Sequence, residues 1–176
     1  MTIVHSVTAS DWRAYRELRL RALRESQDAF ASTYEHESTR EEGEWEARVS
    51  AMASSSSAQA FFASQHNEVC GLVWCKSSGS EVEVVELFQM WVAPDVRGSG
   101  VGRALLERAV TWAIGQGAQR VRLGVTLADS PAMRLYKASG FQPVGIAEPL
   151  REGSALMSQS MELNMGTYRD REGHDQ

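Results

Sequence analysis

The period of the apolar positions changes along this chain, and each change marks an element. Residues 2–7 alternate and predict a first strand. Tyr15, Leu18 and Ala22 then recur at helical spacing. Arg13, Arg16, Arg19 and Arg24 fall mostly on the other faces of that helix and read as a solvated side. Thr8 or Ser10 is placed to cap it. Residues 27–37 break the pattern. Ser38-Thr39-Arg40-Glu41 fits a capping box, and Trp45, Val49 and Met52 form the stripe of a second amphipathic helix. After a polar loop at 54–57, segments 59–64, 69–76 and 81–92 read as strands, separated by turn chemistry at 65–68 and 77–80. They predict an antiparallel meander. The run 87–92 is apolar on both faces, as suits a central strand covered on each side.

The second half reads as α/β. Val101, Leu105, Ala109, Trp112 and Ala113 form a helix stripe ended by Gly115-Gln116-Gly117, and Val121, Leu123 and Val125 share one face of a strand at 120–126. Strand, loop, helix, strand makes a βαβ unit with parallel strands. Asp129-Ser130-Pro131 opens a further helix carrying Leu135 and Tyr136; Gly140 closes it, with Phe141 just past the cap. Segments 141–147 and 155–165 read as the last strands, joined by a loop at 148–153. One domain is expected over 1–165, and the polar tail 166–176 is expected to be disordered.

Composition narrows this picture. An apolar share of 43% in 176 residues suffices for one packed domain. A net charge of -5 argues against a nucleic-acid-binding surface. Cys70 and Cys75, five apart on a strand, point to opposite faces and read as core residues. His5, His36, His66 and His174 have no metal-ligand spacing, so no metal is expected. With no leader and no apolar run long enough to span a bilayer, a cytoplasmic protein without membrane contact is the expectation.

Candidate chemistry gathers at Val96-Arg97-Gly98-Ser99-Gly100-Val101-Gly102, between a strand and a helix. Such glycines allow positive φ and close backbone approach, and a helix N-terminus offers unpaired N–H groups: together, a cradle for a phosphate-like anion. A Walker loop would end in Gly-Lys-Ser/Thr, whereas this one ends Gly102-Arg103-Ala104. A dinucleotide fingerprint would place its third glycine where Arg103 stands. A connection without ligand, and the pyrophosphate arm of coenzyme A, are the remaining readings.

Residues 92–102 resemble the acyl-CoA-binding signature of the GNAT N-acetyltransferases, Q/R-x-x-G-x-G/A, matched by Arg97, Gly100 and Gly102. A second block, residues 132–141, is similar to that family's A-x-x-L-Y-x-x-x-G-F segment. The resemblance runs nearly the whole chain up to Met165. It departs at Asp129, where the family usually has Asn, and at Gly124, where some members carry a glutamate. The resemblance implies an α/β fold: a GNAT-like mixed central sheet, an antiparallel meander followed by splayed parallel strands, flanked by helices.

It further implies direct transfer of an acetyl group from acetyl-CoA to a primary amine of a small molecule or peptide. Arg97, Gly98, Ser99, Gly100, Val101, Gly102 and Arg103 would hold the pyrophosphate, with backbone groups of Met90, Trp91 and Val92 on the pantetheine arm and acyl carbonyl. Asp129 would be a cofactor contact or simply an N-cap. Tyr136 matches the family's general acid to the leaving thiolate. With reference pKa values of ~10 and ~8.5, full proton transfer from tyrosine to that thiolate is uphill by roughly 2 kcal/mol, so a stabilising hydrogen bond is the safer role. Glu86 is the candidate base, placed by even spacing on the face of Met90. Glu35, Glu37, Glu148 and Arg151 are expected to border the acceptor cleft. The acidic surface weakly favours a cationic amine. A CoA-binding sensor without catalysis and a nicotinamide-dependent reductase are the competing classes, and a homodimer is compatible with either.

Overall fold

The computed structural model describes residues 1–172. The chain opens with β1 (Ile3–Ser6) and a tight turn in which Asp11 accepts from both the N–H and the hydroxyl of Thr8, at 2.8 and 2.9 Å. Helices α1 (Trp12–Glu25), α2 (Tyr34–Glu37) and α3 (Glu42–Ser54) follow. The meander is β2 (Ala58–Gln65), β3 (Glu68–Ser77) and β4 (Val84–Val92). Helix α4 (Val101–Gly115) leads to β5 (Arg120–Thr126), and α5 (Pro131–Ala138) to the short β6 (Gln142–Pro143) and β7 (Glu148–Pro149). Strand β8 (Met157–Asn164) and helix α6 (Met165–Glu172) complete the described chain. The strands form one sheet in the order β1-β2-β3-β4-β5-β8-β6, with β7 also on β8. Among the described residues β4 and β5 alone run parallel, as expected of the two ends of the βαβ unit.

The sheet is covered on both faces. On β3, Trp74 packs on Tyr15 of α1 with ring centroids 5.4 Å apart. Three residues away, a side chain at Gly71 would strike Leu105 of α4 at 2.8 Å. An odd spacing on a strand means opposite faces, so α1 and α4 sandwich the sheet. Tyr15 also meets Trp45 of α3, and both are fully buried. The stripe Trp45, Val49 and Met52 is buried as its period predicts. Cys70 and Cys75 are buried and unpaired, and burial pushes the Cys75 thiol up to about 12.

Several local expectations are corrected. Ser38 and Thr39 do not cap α3; their hydroxyls donate back to the carbonyls of Glu35 and His36, closing α2. The stretch 141–147 is a two-residue bridge, not a strand, because Pro143 can donate no ladder bond and Gly145 turns the chain at φ 69. The tail is helical through Glu172, and 173–176 lie outside the described residues. Arg19 is 4% exposed rather than solvated.

Two helix ends conform closely to sequence. At the end of α4, Ala118 N–H bonds to Ala113 O and Gly117 N–H to Ile114 O, with Gly117 at φ 78. At the end of α5, Phe141 N–H bonds to Tyr136 O and Gly140 N–H to Lys137 O, with Gly140 at φ 100. Both are Schellman closures, which need a left-handed residue after the cap. The second fixes Tyr136 and Phe141 against each other, ring centroids 5.8 Å apart.

Candidate active site

Parallel pairing of β4 and β5 runs from Val84 opposite Arg120 to Leu87 opposite Leu123 and then stops. Beyond that point the two strands diverge, leaving a cleft between residues 88–92 and 124–126. Backbone groups on the inner edges there have lost their sheet partner, and a ligand can take its place.

A bulge re-aims β4 at this point. Trp74 pairs with Phe88 and Leu72 with Trp91, so Gln89 and Met90 together oppose Val73. Gln89 sits at φ 59, and its side chain accepts a bond of 2.6 Å from the Tyr15 hydroxyl. The extra residue inverts the alternation. Phe88 therefore lies on the α1 face with Trp74, while Met90 lies on the α4 face, within 4.0 Å of where a Gly102 side chain would begin. The expectation that Glu86 and Met90 share a face is thus overturned. Nor is 87–92 apolar and covered on both sides, since Phe88 is 43% exposed and lines the cleft.

The glycine loop adjoins the cleft. A turn at Pro94–Val96 leads into Gly98 at φ 80 and Gly100 at φ 88, the N-cap of α4. With no side chain at the cap, the N–H groups of the first turn are left for a ligand. Gly102 is needed for a different reason: a β-carbon there would approach Leu135 of α5 at 3.2 Å and Val92 at 3.6 Å. Close packing at Gly102 brings α5, and with it Tyr136, to the mouth of the loop. Arg97, Gly98, Gly100, Val101, Gly102 and Arg103 line the cleft, as do Met90, Trp91 and Val92. The Arg97 guanidinium donates to Val92 O at 3.0 Å, and Arg103 pairs with Glu107 at 3.0 Å while remaining largely exposed.

Two sequence-expected contacts fall outside the cleft lining. Ser99 turns back to donate to Val96 O and also meets Gln65 at 3.2 Å. Asp129 is exposed and pairs with Arg134 at 2.6 Å. Asp129 is not the cap of α5 either. Ser130 is, its hydroxyl accepting from Met133 N–H at 3.1 Å, and Ser130 lines the cleft.

Tyr136 lines the cleft and is 4% exposed; among the described residues its hydroxyl has no hydrogen-bond partner. Burial pushes its phenol well above the ordinary range, so it remains protonated at any working pH. Glu86 lies at the closed end of the splay, in register with Lys76 on one side and Arg122 on the other. Among the described residues it makes no ion pair. Arg122 is instead held by Glu81 at 2.9 Å and Glu162 at 2.9 Å. Glu86 therefore faces the cleft uncommitted.

The cleft is also lined by residues that the sequence did not mark as candidates: Arg19, Phe30, Phe88, Leu150, Ser158 and Ser160. Arg151 was expected at the rim. It acts from behind, donating to the carbonyls of Gln27 and Phe30, both at 2.7 Å, while Thr126 donates to Asp28 O at 2.6 Å. These bonds fix residues 27–31 along the cleft. Glu35, Glu37 and Glu148 do not line it; Glu37 is buried against Arg40 at 2.7 Å and Arg48 at 3.3 Å. Gly124 pairs with Ser160, so no carboxylate arises on that stretch of β5.

A splayed parallel pair, a bulged strand and a glycine loop at a helix N-terminus define the class of acyl-CoA-dependent transferase folds that the sequence resembles. The chain belongs to the acetyltransferase (GNAT) family, whose pattern it matches over residues 13–141. It is 35% identical to the mycothiol acetyltransferase of Jonesia denitrificans over 81 residues, 46% of this chain and 26% of that one. The curated relatives are matched over between a fifth and just under a half of their length. Its fold is that of a GNAT-family acetyltransferase from Streptococcus pneumoniae, TM-score 0.76 at 20% identity, covering 93% of this chain and 99% of that one. The spermidine N-acetyltransferase of Vibrio cholerae, solved with CoA and spermine, superposes with TM-score 0.77 at 19% identity over 95% and 97% of the two chains.

Among the described residues no helix is long and apolar enough to cross a membrane, and no His, Cys, Asp and Glu group is arranged to hold a metal ion.

Proposed function

We propose that this protein transfers an acetyl group from acetyl-CoA to a primary amine, by direct attack of the amine on the thioester. The observation that carries the reading is the continuity of one cleft. It runs from the first turn of α4, through the gap between β4 and β5, to the α1 face of the sheet. That path suits a long ligand with an anionic end at the glycine loop and a reacting end between the strands.

Each residue then has a task. First-turn N–H groups of α4, with Arg97 and Arg103 beside them, bind the pyrophosphate. The bulge at Gln89 and Met90 turns backbone groups of β4 toward the pantetheine and the acyl carbonyl. An N–H so aimed stabilises the oxyanion as the amine adds. Tyr136 donates a hydrogen bond to the departing sulfur; its raised pKa suits it to that better than to full proton transfer. The amine must lose a proton, since a lysine-like amine is only about one part in two thousand neutral at pH 7. Glu86 receives it, directly or through water.

The test is turnover of acetyl-CoA by the purified chain with a panel of amines. Thiol release is followed together with the mass of the acetylated product. Thiol release matched by an acetylated amine supports the reading; CoA binding without turnover of any amine makes the protein a binding domain instead.

A further inference from the structure

Arg19 lines the cleft on the α1 face, and it is 4% exposed. Among the described residues it makes no ion pair, and its buried Nη1 has no hydrogen-bond partner. Glu37, whose charge acts on Arg19, is already engaged by Arg40 and Arg48. The guanidinium stacks on Phe30, 4.6 Å from the ring centroid, which holds it in place without satisfying its donors. A buried cation with an idle donor is costly unless a partner satisfies it.

We propose that Arg19 binds a carboxylate carried by the acceptor, so that the acceptor is an amino acid or a close relative of one. The inference rests on the reading of the cleft as an acyl-transfer site. A planar guanidinium presents paired donors that match a carboxylate, which explains an arginine where a lysine would be easier to hold. Phe30, Phe88 and Leu150, which also line this end of the cleft, add apolar walls for the acceptor's side chain.

The experiment compares matched amines on the full chain: several amino acids, each beside the amine that lacks its carboxylate. Rates are corrected to the neutral-amine fraction. The carboxylate-bearing member of each pair is expected to be favoured by about tenfold or more in kcat/KM, mostly through KM. In Arg19→Gln that ratio falls toward one with the KM for acetyl-CoA unchanged, and Arg19→Lys recovers part of it. Turnover with equal ratios in wild type and Arg19→Gln overturns the role of Arg19 and leaves acetyl transfer standing. Titration of N-acetyl amino acids in the presence of CoA reads the site apart from catalysis. Binding that weakens in Arg19→Gln supports the inference even if no amine is turned over, and binding that is insensitive to the variant overturns it. Should the variants fail to fold, the wild-type matched pairs decide: a preference for the decarboxylated members overturns the proposal.

Discussion

The hydroxyl of Tyr15 on α1 donates to Gln89 on β4 at 2.6 Å, across 74 positions of sequence. Gln89 is the bulged residue, held at φ 59, a conformation that costs a side-chain-bearing residue about 1–2 kcal/mol. The bond offsets that cost and ties the first helix to the place where β4 changes face. The shape of the cleft therefore depends on α1 packing, through Tyr15, Trp45 and Trp74, as much as on the strands that line it.

Tyr136→Phe tests the thiolate contact. Removing one donor aimed at developing charge is expected to lower kcat by about tenfold to a hundredfold, with little change in the KM for acetyl-CoA. Because burial raises the phenol pKa, the wild-type pH–rate profile should show no limb from this residue between pH 6 and pH 10, roughly. An unaltered kcat in the variant would remove Tyr136 from the chemistry.

Glu86→Gln keeps the size of the side chain and removes its basicity. Loss of a general base costs typically about a hundredfold or more, and the loss should be greatest at low pH, where the amine is protonated. Raising the pH supplies free amine and should close the gap between variant and wild type. A variant with wild-type rates across the whole pH range would transfer the base role to solvent.

Gly100 and Gly102 are two residues apart and should fail differently. Gly100→Ala meets open space but must hold φ 88, costing about 1–2 kcal/mol and lowering Tm by about 2–8 °C. Gly102→Ala has no such backbone problem; its β-carbon presses on Leu135 at 3.2 Å and shifts α5. The expected result is a raised KM for acetyl-CoA with a smaller change in Tm. Paired melting curves and initial rates separate the two.

Glu37 should make stability depend on acid. Burial alone would raise its carboxyl, but the bond from Arg40 and the charge of Arg48 outweigh that and hold it below the ordinary value of 4.5. A depressed folded pKa contributes stability that is complete above the unfolded pKa and lost as pH falls through the folded one. Glu37→Gln should therefore cost about 1–2 kcal/mol at neutral pH, discounted for the partly exposed arginines, and progressively less below about pH 4. Denaturant melts at several pH values check this; a constant difference down to low pH would contradict it.

Local rules were enough for much of this protein. The alternation of Val121, Leu123 and Val125, the stripe of Trp45, Val49 and Met52, and the left-handed glycines after α4 and α5 are set by neighbours within a few residues. So is the glycine loop, because strand, positive-φ turn and helix start are adjacent in sequence. Family resemblance supplied the splay of β4 from β5 and the place of Tyr136. Tertiary structure decided what depends on contacts between distant segments. Nothing beside Gln89 in the sequence marks a bulge, since its support comes from Tyr15. Nothing beside Arg19 distinguishes it from Arg13 or Arg24 on the same helix; it is buried because residues 27–31, tied down by Thr126 and Arg151, fold over it. The sequence by itself determined most of the elements and the glycine loop between β4 and α4, because those rest on short-range geometry. The α1 side of the cleft was decided by the tertiary structure, because it is made by side chains that meet only when the chain is packed.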